Sequence, residues 1–229
     1  MSWLARLDID DQYVRNAGIR DTYSWHKKLW EGCFPCDPEA KRDFLTRIDQ
    51  FERAFRVWIL AKRKPVSPSW CPPDCFAVKE ISPSFFTHRY YVFDLRANPV
   101  KAVVQRGDNG ETLRKQNGKR KSGKRVPLVK EDELRDWLIR KGEIRCLDKE
   151  TGLKVPGGFR IVEGKPLEIS PAVDHYFRKK EHEAYHGGVQ FRGTLEVTDQ
   201  LKFIDTYHQG VGSAKAFGFG LFLLAPAKL

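Results

Sequence analysis

Apolar and polar residues alternate along SWLARLDI, residues 2–9, which predicts a half-buried strand. The period then lengthens. A helix is expected from about Thr22 to Gly32, with Asp21 or Thr22 as N-cap and Gly32 at its end. A second helix is expected from near Asp37, with Pro38 in its first turn, because Phe44, Leu45, Ile48 and Phe51 recur at helical spacing. FRVWILAK and RYYVFDLRA read as strands on either side of a loop rich in Pro and Ser.

Beyond LRANPVKAVV, the stretch from Arg106 to Arg125 carries four glycines and almost no large apolar residue, as an exposed insertion does. EDELRDWLIRKG is amphipathic at helical period. GFRIVEG, LEISPAVDHYF and GVQFRGTLEVT predict strands, DQLKFIDTYHQG a helix and FGFGLFLLAP a last buried strand. Each half therefore mixes strands and helices in a β-α-β-β-α-β-like order. The class expected is α+β, with two tandem ferredoxin-like (RRM-like) domains at residues 1–98 and 99–229 and a boundary near 95–105. The second would hold the basic insertion (about 105–125) and a glycine-rich loop (210–220).

A length of 229 residues suffices for one large or two small domains, and 15 Phe and 6 Trp can fill their cores. The longest apolar run, Phe217 to Ala227, is about half of the roughly 20 residues a membrane span needs. The N-terminus lacks the basic start and apolar run of a secretory signal, so no membrane and a cytoplasmic location are expected. The net charge of +11 favours a polyanion. Most of it is local: between Lys101 and Lys130, ten Lys or Arg face only Asp108 and Glu111. Five cysteines, an odd number, argue for free thiols. The pairs Cys33/Cys36 and Cys71/Cys75 raise structural zinc as an alternative, which the Pro-Pro inside the second pair and the long gap between the pairs oppose.

GVGSAKAFGFG places four glycines around Lys215. It is not a P-loop, since Lys215 precedes Ala216 where Ser or Thr would bind magnesium. Nor is it a Rossmann turn, since it follows a helix and precedes a strand. Glycine permits two things here: a helix cap at Gly210 with tight packing at Gly218 and Gly220, and close approach of backbone N–H groups to a phosphate, with Lys215 adding charge.

That loop resembles the C-terminal glycine-rich loop of the CasE family, the CRISPR RNA-processing endoribonucleases of type I-E Cascade complexes. TYSWHKKLWEGCFP, LRANPVK and RVPLVKE agree with the same family in the same order, so the resemblance spans nearly the whole chain. It implies two ferredoxin-like domains and metal-independent cleavage of the CRISPR repeat in the precursor transcript, with no cofactor and no bound metal. Attack by the ribose 2′-OH would leave 2′,3′-cyclic phosphate and 5′-OH ends. The enzyme would stay on the 3′ hairpin of its product, among other Cascade subunits. The long basic insertion, the cysteine pairs and the histidine-rich stretch at 175–186 depart from the family pattern.

The family's catalytic Tyr and His fall on Tyr23 and His26, which at i, i+3 share a helical face. His26 is expected to move a proton, and Tyr23 to position the ribose or phosphate or to serve as the second acid or base. Lys27, or else Lys28, is expected to offset the growing negative charge. Phosphate contacts are expected from Arg114, Lys115, Lys119, Arg120, Lys121, Lys124 and Arg125 in the insertion, from Arg96 and Lys101 in LRANPVK, and from Gly210, Gly212 and Lys215. Two rivals stand beside this reading. One is a catalytically silent RNA-hairpin-binding subunit of the same fold. The other is a zinc metallopeptidase, because HEAYH (His182, Glu183, His186) matches H-E-x-x-H, although Gly187 and Gly188 would end its helix at once.

Overall fold

A computed structural model describes residues 1–35, 43–107, 109, 111–114, 123–148, 150–171, 175–179 and 182–228, with backbone alone for 175–179 and 182–186. The chain opens with strand β1 (Ser2–Asp10), the short helix α1 (Asp11–Asn16) and helix α2 (Thr22–Cys33). Strands β2 (Phe44–Gln50), β3 (Ala54–Ala61) and β4 (Phe76–Ile81) complete an antiparallel sheet of order β2-β3-β1-β4. This is the ferredoxin-like order. The described residues between β3 and β4 form no α-helix, only a 3-10 turn at Pro73–Cys75.

The second sheet begins with β5 (Tyr90–Ala97). A hairpin of β6 (Val100–Val103) and β7 (Lys124–Pro127) follows, then helix α3 (Glu131–Glu143) and a small hairpin of β8 (Cys146–Leu147) and β9 (Lys154–Val155). Strands β10 (Phe159–Ile161) and β11 (Glu168–Pro171) come next, and β12 (His175–Lys179) pairs with β13 (His182–His186). Strand β14 (Val189–Val197), helix α4 (Gln200–Gln209) and β15 (Phe222–Pro226) close the fold. The order β10-β14-β5-β15 repeats the first sheet's pattern, with β11 also on β14. The chain is thus α+β with two tandem ferredoxin-like domains.

Two expectations change. Phe44, Leu45 and Ile48 lie on β2, not on a helix, because pairing from Phe44↔Ala61 to Gln50↔Phe55 captures the segment. The expected start at Asp37 and Pro38 lies outside the described residues. RYYVFDLRA, assigned to the first domain, is instead the central strand of the second sheet, paired with β14 and β15. The break between sheets therefore falls between Ile81 and Tyr90 rather than near 98. The fourth strand of the first sheet is FAVKEI, hidden in the Pro/Ser-rich stretch.

One core lies between the first sheet and its helices, where Ala5, Leu7, Trp25, Leu29 and Ile59 are buried. The other fills the second domain around Tyr91, Phe159, Phe203 and Phe222, and it also takes in Leu45, Leu60 and Ile81 from the opposite face of the first sheet. Beside this apolar junction sits an ionic one. Arg47 on β2 donates from Nη1 to Asp94 on β5 (2.6 Å) and from Nε to Asp49 (2.9 Å). Arg96 on β5 donates back across the junction, to the Ile48 carbonyl (2.6 Å) and to Asp49 (2.7 Å). Gln190 and Arg192 on β14 add bonds to Asp94. Burial opposes the Arg47 charge, but bonds and charge from Asp94 and Asp49 outweigh it and raise its pKa. Burial likewise works to raise the Asp94 carboxyl, and Arg47 and then Arg192 overcome it, holding it below the usual range.

Removing one member leaves buried charge uncompensated, which is costly even where the intact network contributes little net stability. Asp49→Ala, which strips a shared acceptor from two buried arginines, is expected to lower the unfolding free energy by about 3 kcal/mol in urea titration. A loss below about 0.5 kcal/mol, the scale of an ordinary surface change, would show that the network does not hold the sheets together.

Candidate active site in the cleft between the two domains

Helix α2 is fixed at its start by a reciprocal cap: Ser24 N–H donates to Asp21 Oδ1 (2.7 Å) and Asp21 N–H donates to Ser24 Oγ (2.9 Å). Trp25, Leu29 and Cys33 recur every fourth residue and bury one face in the first core. Tyr23, His26 and Trp30 lie on the flank beside it. The His26 ring stacks on Phe44 of β2, with centroids 4.9 Å apart and planes 17° from parallel, and Phe44 stacks on Trp30 in turn. Only 8% of His26 is exposed, against 44% of Tyr23. The imidazole is thus oriented by aromatic packing at the inner end of a cleft, with the phenol at its mouth.

That cleft holds about 700 Å³ between the domains. Tyr23, His26 and Phe44 line one side, and His208, Lys215 and Phe217 come from the second domain. The glycine loop closes it. Gly210 ends α4 with φ +73° and its N–H on the Thr206 carbonyl. Gly220 N–H donates to the Arg96 carbonyl (2.7 Å), and Val211 N–H donates to the Gly220 carbonyl (2.9 Å). At φ +88°, a Cβ on Gly220 would meet the Val211 carbonyl oxygen at 2.6 Å. These crossed bonds project the turn at Lys215–Phe217 toward α2 and β2.

The expected lysines are elsewhere. Lys27 lies 3.8 Å from Glu31 on the exposed face of α2, and neither Lys27 nor Lys28 lines the cleft. Among the described residues, the lysines that line the cleft are Lys215 and Lys62, the latter just past β3. Burial, then the neighbouring charge of Arg145, lowers the Lys215 pKa. Sequence reasoning misses Lys62, because nothing in AKRK distinguishes it from ordinary surface charge.

Arg96 is buried, and its guanidinium is engaged across the domain junction by the Ile48 carbonyl and Asp49. Gly210 is buried against Leu45, and a Cβ on Gly212 would meet the Trp137 ring at 3.0 Å, so both serve packing. Lys101 on β6 donates to Glu133 of α3 (2.6 Å) at the base of the β6/β7 hairpin. Lys124 and Arg125 lie on β7, and Arg114 precedes it. Lys115, Lys119, Arg120 and Lys121 lie outside the described residues.

HEAYH forms β13 rather than a helix. Four residues along a strand span about 13 Å, too far for His182 and His186 to share an ion as one helical turn would allow. This overturns the zincin reading. Cys33 and Cys71 are buried in the first core, and burial raises their thiols to about 12 and about 11. Cys36 lies outside the described residues. Among those described, no helix is long and apolar enough to cross a membrane.

A sequence profile for CRISPR associated proteins matches residues 2–226. The chain belongs to that family. Within it, the chain is similar to the CRISPR system Cascade subunit CasE of Escherichia coli K12, at 29% identity over 213 residues, or 93% of this chain and 96% of that one. It is also similar to the CRISPR-associated endoribonuclease Cse3 of Thermus thermophilus, at 26% identity over 239 residues, or 98% and 100%. The structure of Thermus thermophilus Cse3 bound to an RNA representing a pre-cleavage complex matches with TM-score 0.68 at 25% identity, covering 98% of this chain and 99% of that one. The resemblance carried by four segments is thus a relationship along the whole chain.

Gly220→Ala meets both left-handed backbone strain and a backbone contact at 2.6 Å. It is expected to cost about 2 kcal/mol in thermal or urea unfolding and to expose the loop to proteolysis. Gly18→Ala is the control, with φ +71° and nothing within 4 Å, and should cost about 1 kcal/mol. Equal losses at both positions would mean that the crossed bonds do not shape the loop.

Proposed function

We propose that this CRISPR associated protein is an endoribonuclease that cuts the CRISPR repeat of the precursor transcript and stays on the hairpin of its product as a Cascade subunit, in the cytoplasm. The observation that carries this reading is the convergence of His26 and Tyr23 from α2 with Lys215 from the glycine loop on one cleft. CasE and Cse3, named for Cascade membership and endoribonuclease activity, support it.

The chemistry follows from what the cleft contains. The ribose 2′-OH attacks the adjacent phosphorus, so no outside nucleophile is required. A base removes the 2′ proton, an acid protonates the departing 5′ oxygen, and the products are a 2′,3′-cyclic phosphate and a 5′-OH. His26 is the proton-transfer group, its ring fixed by Phe44. Tyr23, at the mouth, orients the ribose or phosphate or serves as the second acid or base. Lys215 stabilises charge on the phosphorane, the part expected of Lys27 from the sequence. A partly buried ammonium acts there with less screening than an exposed one. Side chains and the substrate's own hydroxyl supply every step, which is the ground for a metal-independent reaction. Lys124 and Arg125 on β7 do not line this cleft and suit stem phosphates.

The deciding experiment incubates CRISPR repeat RNA with the protein in EDTA, beside the same RNA with a 2′-deoxy ribose at the cut. Wild type should cut the first and leave the second intact, and His26→Ala should slow cutting by about 10²-fold or more. Tight binding without cutting would make the chain a silent hairpin-binding subunit, and neither binding nor cutting would overturn the reading. Under the same conditions Lys215→Ala is expected to lower the single-turnover rate by about 10²-fold. Lys27→Ala should stay within about twofold of wild type, as removal of an exposed charge does. The reverse order would return the charge-stabilising role to α2.

A further inference from the structure

The cleft holds a second imidazole besides His26. His208 lies in the last turn of α4, two residues before the glycine loop, and lines the same space as Tyr23, His26 and Lys215. Its ring packs at a steep angle against Phe86 and Tyr207. Its Nε2 is shielded from solvent and has no hydrogen-bond partner among the described residues. Such an atom typically costs about 1–3 kcal/mol, and a leucine or phenylalanine would fill the same apolar niche without it. A histidine placed there at that cost points to a use for the ring in the cleft that it lines.

Several charges face this ring. Burial first, then Lys62 beyond β3 and the amino group of Met1 before β1, favour the neutral imidazole, and Asp205 one turn back on α4 opposes them. The free protein therefore presents a neutral ring beside a lysine. An RNA phosphate entering between them changes the balance, since its negative charge offsets Lys62 and favours the imidazolium.

We propose that His208 and Lys62 form a phosphate clamp at the rim of the cleft, in which His208 takes up a proton as the RNA strand docks. The clamp holds a phosphate of the strand being cut, so that His26 meets the scissile bond in register. Its charge is created by substrate rather than built in. This deepens the proposed ribonuclease activity and rests on it.

The test measures the affinity of the uncleavable 2′-deoxy repeat RNA for wild type, His208→Gln and Lys62→Gln from pH 5.5 to 8. Calorimetry in buffers of different ionisation enthalpy counts the protons taken up. A group whose pKa rises on binding strengthens binding as pH falls, by about tenfold for each unit of rise. Wild type should gain about tenfold in affinity across the range, and His208→Gln should lose most of that gain and of the proton uptake. Lys62→Gln removes an exposed side chain and keeps the fold. It should weaken binding and, in the free protein, move the His208 ring-proton NMR titration to higher pH.

Melting curves of each variant separate misfolding from a lost clamp. An unchanged pH dependence in folded His208→Gln would overturn the proposal. So would unchanged affinity with a fallen single-turnover rate, which would make His208 a proton-transfer group instead. Absence of RNA binding by wild type at every pH would overturn the ribonuclease reading itself.

Discussion

The cleft depends on two buried arginines held by two partly buried aspartates between the sheets. Arg47 and Asp49 stand on β2, Asp94 and Arg96 on β5, and each arginine bonds across the junction. Charges so placed tolerate little displacement, since separation leaves an ion without solvent or partner. Leu45, Leu60 and Ile81 supply apolar contact at the same junction, but apolar contact is non-directional and would allow sliding. The ionic pairs set the register. The Arg96 backbone then extends that register to the active site, since its carbonyl accepts from Gly220 N–H. One residue thus ties the domain junction to the loop that carries Lys215.

Phe44 performs the matching task on the other wall. It belongs to β2, three residues before Arg47, and its ring supports His26 from below. The junction and the imidazole therefore share a strand, and the relative position of His26 and Lys215 is set by β2 on one side and β5 on the other. The two walls of the cleft come from different domains, so neither domain alone forms it.

Much of this is legible in the sequence, and the limits have physical causes. Helix α2 is readable because its cap and apolar spacing are local signals, and Tyr23 with His26 follow from the family motif. Strand β2 reads as a helix because Phe44, Leu45 and Ile48 also fit a helical stripe, and the choice is made by pairing with β3, a tertiary effect. Strand β4 is hidden because it is short, half exposed and flanked by Pro and Ser. Missing it displaces the domain boundary and gives β5 to the wrong sheet. Arg96 looks like a phosphate ligand because charge reads the same whether buried or solvated. Lys62 and His208 give no signal, since each meets the site only through the fold.

The distribution of charge separates two tasks that the net value of +11 merges. The described cations of the β6/β7 hairpin region, Lys101, Arg114, Lys124 and Arg125, are exposed, so salt screens them. The Lys215 ammonium is half buried and its charge is disfavoured by burial and by Arg145. Such a group is poor at attracting RNA from a distance and strong once an anion is in contact, because water no longer weakens the interaction. On the proposed reading, the exposed cations bear on how tightly a hairpin is held, and Lys215 on what happens to one bond at its base. On the same reading, a substitution of an exposed hairpin cation acts on affinity and its salt dependence, whereas one at His26 or Lys215 acts on rate.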